Sequence, residues 1–178
     1  MESSFLNPSR IVESLHLEEG MKVAEFGSGT GMFSLAIAEK LGAEGKVYAL
    51  DVQKETLEAL RAKARAEGVF NIEIVWADLE REGSTKIPDE ALDMVFLPNV
   101  LFQSQKKAEI LKEAHRITKP GGTVVVIDWL PKKAIFGASM GWLETPEKMQ
   151  GIAEGIGLTF VDVLQTGSAY HYGLLFRK

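Results

Sequence analysis

Apolar residues in this chain come in short runs, and the runs alternate with stretches in which apolar positions recur at helical spacing. Strand-length runs are predicted at about 21–27, at Lys46 to Val52, at Ile72 to Leu79, at Leu92 to Asn99 and at Thr123 to Asp128. Between them, Met32 to Leu41 reads as a helix stopped by Gly42. Lys54 to Glu67 reads as a second, with Leu57, Leu60 and Ala64 on one face and Gly68 at its end. Ser104 to Thr118 is a third, with Ile110, Leu111, Ala114 and Ile117 spaced for burial. Asn7 to Leu15 opens the chain as a short helix, with Asn7 as cap and Pro8 at the first helical position. The stretch Glu80 to Glu90 is polar, holds Gly83 and Pro88, and reads as a surface loop.

Strands alternating with helices at this spacing imply parallel β-α-β units, with helices on both faces of one doubly wound α/β sheet. The tail breaks that rhythm. Leu158 to Leu164 and Tyr170 to Phe176 are separated only by Gln165 to Ala169, too few residues for a crossover helix. They are predicted to form an antiparallel hairpin.

Length and composition narrow the picture. With 178 residues, a single domain spanning 1–178 is expected, divided into an N-terminal helix that can serve as a lid (1–20), a ligand-binding core (21–131), a loop and helix (132–157) and the hairpin (158–178). The absence of cysteine removes disulfides, thiolate metal sites and cysteine nucleophiles. A net charge of −5 argues against a broad grip on nucleic acid phosphates. The start of the chain lacks a basic, apolar leader and no run is long enough to span a membrane, so a cytoplasmic location is expected.

The candidate chemistry lies at the end of the first predicted strand, in Glu25-Phe26-Gly27-Ser28-Gly29-Thr30-Gly31. Glycines at 27, 29 and 31 let the backbone turn tightly beside a ligand, and the helix that follows offers unpaired amides to a carboxylate or phosphate. A dinucleotide fingerprint would place its third glycine at 32, where this chain has Met32. A second acid, Asp51, ends the next strand twenty residues after Gly31, where a carboxylate can accept both hydroxyls of a ribose. Asp78 ends the third strand, placed to accept from an adenine amine. Asp93 opens the fourth, away from the ligand-binding edge of such sheets, and reads as structural.

With these pieces in this order, followed by Pro120-Gly121-Gly122 before the fifth strand, the chain resembles the class I S-adenosylmethionine-dependent methyltransferases from about Met21 to Lys178. The resemblance implies a seven-stranded Rossmann-like sheet in the order 3-2-1-4-5-7-6 with the last strand antiparallel, and S-adenosyl-L-methionine as cofactor. It implies that Glu25, Gly27, Ser28, Gly29 and Gly31 cradle the methionine part, that Asp51 binds the ribose, and that Asp78 reads the adenine between Val52 and Leu79. The stretch Leu97 to Leu101, with Pro98, borders cofactor and acceptor, and Pro120-Gly121-Gly122 is implied to be a turn without chemistry of its own.

Methyl transfer from a sulfonium requires alignment and exclusion of water more than an acid-base pair, and no catalytic residue is assigned. His16, His115 and His171 are scattered without ligand spacing, and no metal site is expected; each histidine reads as a surface or satisfied residue, with His16 able to reach the pocket if its helix folds over as a lid. Pro98-Asn99-Val100-Leu101 departs from the Asn/Asp-Pro-Pro-aromatic signature of amino-group methyltransferases. Trp129 to Trp142 mixes aromatic and small residues with Lys132 and Lys133, which suits an aromatic or hydrophobic small molecule with an anionic group. The overall flavour is that of ubiquinone/menaquinone-type methyltransferases. The competing readings are a protein that binds the cofactor or a partner without turnover, and a nicotinamide oxidoreductase.

Overall fold

The computed structural model describes residues 6–131 and 142–178. Helix α1 (Pro8–Ser14) starts at Asn7, whose side chain accepts from the Arg10 amide at 3.2 Å, as the Asn-Pro start predicts. There follow β1 (Lys22–Phe26), α2 (Met32–Leu41), β2 (Lys46–Asp51), α3 (Lys54–Ala66), β3 (Ile72–Trp76), β4 (Leu92–Pro98), α4 (Lys107–Ile117), β5 (Thr118–Trp129), α5 (Pro146–Glu154), β6 (Thr159–Val163) and β7 (His171–Arg177). The segment 80–90 carries turns and no regular element.

The strands form one seven-stranded sheet in the order β3-β2-β1-β4-β5-β7-β6. From β3 to β5 every pairing is parallel, while β7 runs antiparallel to both β5 and β6. The reversal follows from the short β6–β7 connection, and it brings the beginning of β7 to the same edge as the end of β5: Trp129 pairs with His171 and Asp128 with Tyr172.

Alternation along β5 sorts the core into two layers. Val125 and Ile127 pack with Ile11, Leu15, Phe33, Ile37 and Phe96 under α1 and α2. Val124 and Val126 pack with Leu111, Ala114, Met149 and Phe176 under α4 and α5. Helix α3 sets Leu60 and Ala64 against Leu35 and Ala49. Each fully buried Leu or Phe contributes roughly 1.5–3 kcal/mol, so these layers fix the sheet on which the loops are mounted.

Two local expectations need correction. Pro120-Gly121-Gly122 is not a separate turn before the fifth strand but lies inside β5, where the register against β4 shifts between Leu92 and Met94. The Gly121 amide donates to the Lys178 carbonyl at 2.8 Å, so the strand absorbs the bend by pairing with the end of the chain. The third helix starts at Lys107 rather than Ser104, after a 3-10 turn at Leu101–Gln103. Ser104 serves the loop: its hydroxyl donates to Glu80 at 2.6 Å and accepts from the Lys106 amide at 2.8 Å. Asp93 is structural as expected, accepting from the Lys22 amide and from the Lys119 ammonium, each at 2.8 Å. Among the described residues no helix is long and apolar enough to cross a membrane.

Candidate functional site

The end of β1 enters the glycine loop, and Gly27, Gly29 and Gly31 all have positive φ before α2 begins at Met32. The Gly27 and Ser28 amides donate to the Leu50 carbonyl at 2.8 and 2.9 Å, which ties the loop to the end of β2. Asp51 completes the clasp. Its Oδ2 accepts from the Gly29 amide at 2.8 Å and its Oδ1 from the Gln53 amide at 2.9 Å.

Glu25 lies beneath the loop rather than on its open side. The residue is 1% exposed beneath the loop, and its carboxyl takes a short hydrogen bond from the Ser34 hydroxyl on α2. Burial, outweighing that bond, pushes its pKa up to about 8. In this geometry Glu25 ties β1 to α2 through Ser34 and supports the loop from below. β1 is buried on both faces from Val23 to Phe26, so the Glu25 side chain is enclosed whichever way it points.

Asp78 sits past the end of β3 in a half-buried turn, its Oδ1 accepting from the Glu80 amide at 3.1 Å. Val52 is 55% exposed beside it on the same rim, and Leu79 packs against the core under α4. The indole of Trp76 donates to the Val52 carbonyl at 2.8 Å and holds this rim in place. Trp76 belongs to no sequence motif, so its part in the rim emerges only from the fold. Pro98 is buried at the end of β4, paired with Ile127.

The next residue, Asn99, adopts φ 55, the left-handed region that non-glycine residues rarely occupy. Its amide donates to the Ile127 carbonyl at 2.8 Å, and the following Val100 lies over Gly27. Asn99 and Val100 together thus join β5 to the glycine loop.

Buried polar atoms in folded proteins are nearly always paired. Among the described residues the exceptions on side chains are Ser28 Oγ, Asn99 Oδ1, His171 Nε2 and the Tyr172 hydroxyl. All four belong to the ends of β1, β4 and β7 on one edge of the sheet. This edge therefore presents unpaired hydrogen-bonding atoms from the glycine loop across to the hairpin, beside the positive end of α2. The sequence offers no signal for this, because pairing is a property of packing.

The histidines divide. His16 is exposed where the chain leaves α1 for the start of β1, and α1 packs on α2. His115 is half-buried on α4, its pKa lowered by burial and by the nearby Lys178. His171 is neither a surface residue nor a satisfied one. It is buried, its ring tilted against that of Trp129 with centroids 3.9 Å apart, and only Nδ1 has a partner, the Ser168 hydroxyl at 2.8 Å. On the opposite face Asp128 is buried near Lys107, and burial pushes its pKa up to about 7. No three His, Asp or Glu side chains converge as metal ligands among the described residues. The acceptor-side loop expected at 132–141, with Lys132 and Lys133, lies outside the described residues.

Comparison with known proteins converges on one family. Residues 17–154 match the family described as "Methyltransferase domain". The chain is 30% identical over 118 residues to a demethylmenaquinone methyltransferase of Geobacillus stearothermophilus, covering 66% of this chain and 49% of that protein. It is 31% identical over 118 residues to a ubiquinone/menaquinone biosynthesis C-methyltransferase of Neisseria meningitidis, covering 66% of this chain and 46% of that one. The chain thus spans about half the length of these curated relatives. A SAM dependent methyltransferase from Aquifex aeolicus superposes with a TM-score of 0.85 at 25% identity, covering 97% of this chain and 90% of that one.

Proposed function

Starting from a chain that belongs to the methyltransferase-domain family and to the class I fold, we propose that this protein transfers the methyl group of S-adenosyl-L-methionine to a small aromatic acceptor of the hydroquinone type. The observation that carries the reading is the clasp at the sheet edge: a strand, a three-glycine loop and a helix start, held by the carboxylate that ends the neighbouring strand. In this reading residues 1–178 work as one domain with the cofactor on the core of 21–131. Gly27, Ser28, Gly29 and Gly31 hold the methionine part, Asp51 the ribose, and Val52, Asp78 and Leu79 the adenine, with Pro98 at the boundary to the acceptor. Glu25 supports the loop from beneath.

The residues fit such a cofactor. Ser28 Oγ is buried and unpaired, and the loop backbone is open toward a ligand at Gly29, where no atom lies within 4 Å of an added Cβ. When bound, the cofactor supplies an electrophilic methyl group on a good leaving group, so the protein has mainly to align the acceptor and exclude water. The acceptor class is drawn from the relatives, which act in quinone biosynthesis by name. Trp129 and His171, buried together at the same edge, give it an aromatic character that supports this class.

Calorimetric titration with S-adenosylmethionine, S-adenosylhomocysteine and NAD, followed by turnover of reduced demethylmenaquinone, tests this. Micromolar binding of the two sulfur nucleosides and methylation of the quinol are expected. Binding without turnover of any quinol would favour a non-catalytic cofactor-binding protein, and binding of NAD alone would overturn the reading.

A further inference from the structure

We infer that His171 is a specificity-determining residue of the acceptor site, whose Nε2–H donates to a ring oxygen of the acceptor and favours that oxygen as its anion. The inference rests on the methyltransferase reading above and adds a residue to its acceptor side.

Position comes first. His171 opens β7 and pairs with Trp129, the last residue of β5. Strands lie about 4.8 Å apart, so His171 stands two strand spacings, about 10 Å, from Asn99 at the end of β4. Side chains two residues apart on a strand share a face. Trp129 and its cross-strand partner His171 therefore lie on the face of Ile127, which packs with Phe33 in the first turn of α2. That is the face on which the glycine loop delivers α2, whereas Asp128 and Tyr172 point to the α4/α5 face.

The hydrogen bonds accommodate the tautomer the proposal requires. Ser168 Oγ accepts from the Tyr170 amide at 3.2 Å and lies 2.8 Å from His171 Nδ1. We assign the Ser168 hydroxyl hydrogen to Nδ1, which places the ring proton on Nε2; the reverse arrangement, Nδ1–H donating to Ser168 Oγ, is the alternative that histidine NMR distinguishes. Nε2 is the buried atom without a partner. An unpaired buried donor is costly, and a ligand oxygen removes that cost.

The charge state completes the argument. Burial alone, with no charged side chain bearing on it among the described residues, pushes the pKa of His171 down to about 4, so the ring is neutral at pH 7. A neutral N–H donor does not lose its proton to a phenolate; it stabilises the phenolate by hydrogen bonding, while the proton of the acceptor hydroxyl passes to water. A phenolate is the more nucleophilic form toward a methyl donor. His171 thus binds and polarises, and takes no proton itself.

The test uses the full chain saturated with S-adenosylhomocysteine, ¹⁵N-labelled histidine, and 1-naphthol as a single-hydroxyl probe of the acceptor ring. Only three histidines need to be distinguished by NMR. His171 is expected as the neutral Nε2–H tautomer at pH 7, and S168A is expected to shift it toward Nδ1–H. Naphtholate absorbance against pH should show the bound probe ionising at least tenfold more readily on wild type than on H171A, with H171Q restoring most of the effect by presenting its amide N–H. Unchanged S-adenosylhomocysteine affinity serves as the folding control for each variant. An Nδ1–H tautomer in the wild type, equal ionisation on wild type and H171A, or failure of the probe to bind while the cofactor does, each overturns the inference and leaves the cofactor reading standing. Failure of the wild type to bind either sulfur nucleoside overturns the methyltransferase reading, and the inference with it.

Discussion

The Gly29 amide donates to Asp51 Oδ2 at 2.8 Å, joining the turn after β1 to the end of β2 across 22 residues of chain. The other carboxylate oxygen holds the Gln53 amide, so one side chain sets both the loop after β1 and the entry to α3. The residue proposed to take the ribose hydroxyls is thereby also the one that shapes the cradle.

Asp51→Ala is expected to weaken S-adenosylmethionine binding by about 1.5–3 kcal/mol, the range for losing a charged hydrogen-bond partner. It should also lower stability, because two amides lose their acceptor at once. Asp51→Asn can keep one of the two bonds and should fall between. Calorimetry and urea melts on the two variants separate the effects, and unchanged cofactor affinity in Asp51→Ala would remove Asp51 from the site.

Glycines of the cradle are not equivalent. Gly31 has φ +84, and a Cβ there would stand 2.0 Å from Leu60 Cδ1. Gly29 has φ +52 and open space around it. Gly29→Ala should cost only the left-handed strain of about 1–2 kcal/mol. Gly31→Ala adds an overpacking cost of about 1–3 kcal/mol, because Leu60 is buried in the α3 cluster. Urea midpoints should therefore rank wild type, then Gly29→Ala, then Gly31→Ala; equal losses would mean that Leu60 swings clear.

Glu113 on α4 carries the opposite electrostatic signature to Glu25. Its buried carboxylate accepts from Thr85 Oγ1 at 2.6 Å, the Gly83 amide at 3.0 Å and Arg116 at 2.7 Å, pinning the 83–89 loop to the helix. Although burial opposes ionisation, these bonds together hold its pKa at about 2, below the ordinary 4.5. The unfolded chain binds the proton more readily, so this contribution is fully present above about pH 4.5 and is lost as pH falls toward 2. Glu113→Gln should destabilise by about 1.5–3 kcal/mol at pH 7, because Arg116 loses its buried carboxylate while keeping Asp89, and should flatten the acid limb of the stability curve. An acid limb identical to wild type would mean that the ion pair is not formed in solution.

Much of the fold was legible because each device was local. The bounds of α2 follow from the glycines on either side of it, and the reversal of β7 from a connection too short for a helix. Misreadings arose where long-range pairing decided: Pro120-Gly121-Gly122 joins β5 because the Gly121 amide and the Gly122 carbonyl pair with Lys178 at the chain end, and Ser104 leaves α4 because Glu80 claims its hydroxyl. The site divides in the same way. The place of Asp51 against the glycine loop was readable from its spacing, whereas Trp76, Asn99 and His171, drawn to the same candidate edge by the fold, sit in no motif and stand out only by exposure, by backbone conformation and by an unpaired nitrogen.

Glu25 offers the sharpest test of how the cradle is built. Its carboxyl is buried against Ser34 with a pKa of about 8, while in the unfolded chain it ionises near 4.5. Between those values the folded state binds the proton and the unfolded state does not, so wild-type stability falls as pH rises through this window and is level, for this group, on either side. A tenfold difference in proton affinity corresponds to about 1.4 kcal/mol, so the stability of Glu25→Gln relative to wild type should climb by several kcal/mol from pH 4.5 to pH 8. Urea melts of both proteins across that range measure the difference directly. A flat difference would mean that Glu25 is ionised in the fold at ordinary pH. Saturating S-adenosylmethionine should flatten the wild-type slope, since a cation placed over the loop favours the ionised carboxyl; the neutral amide of Glu25→Gln has nothing to respond with.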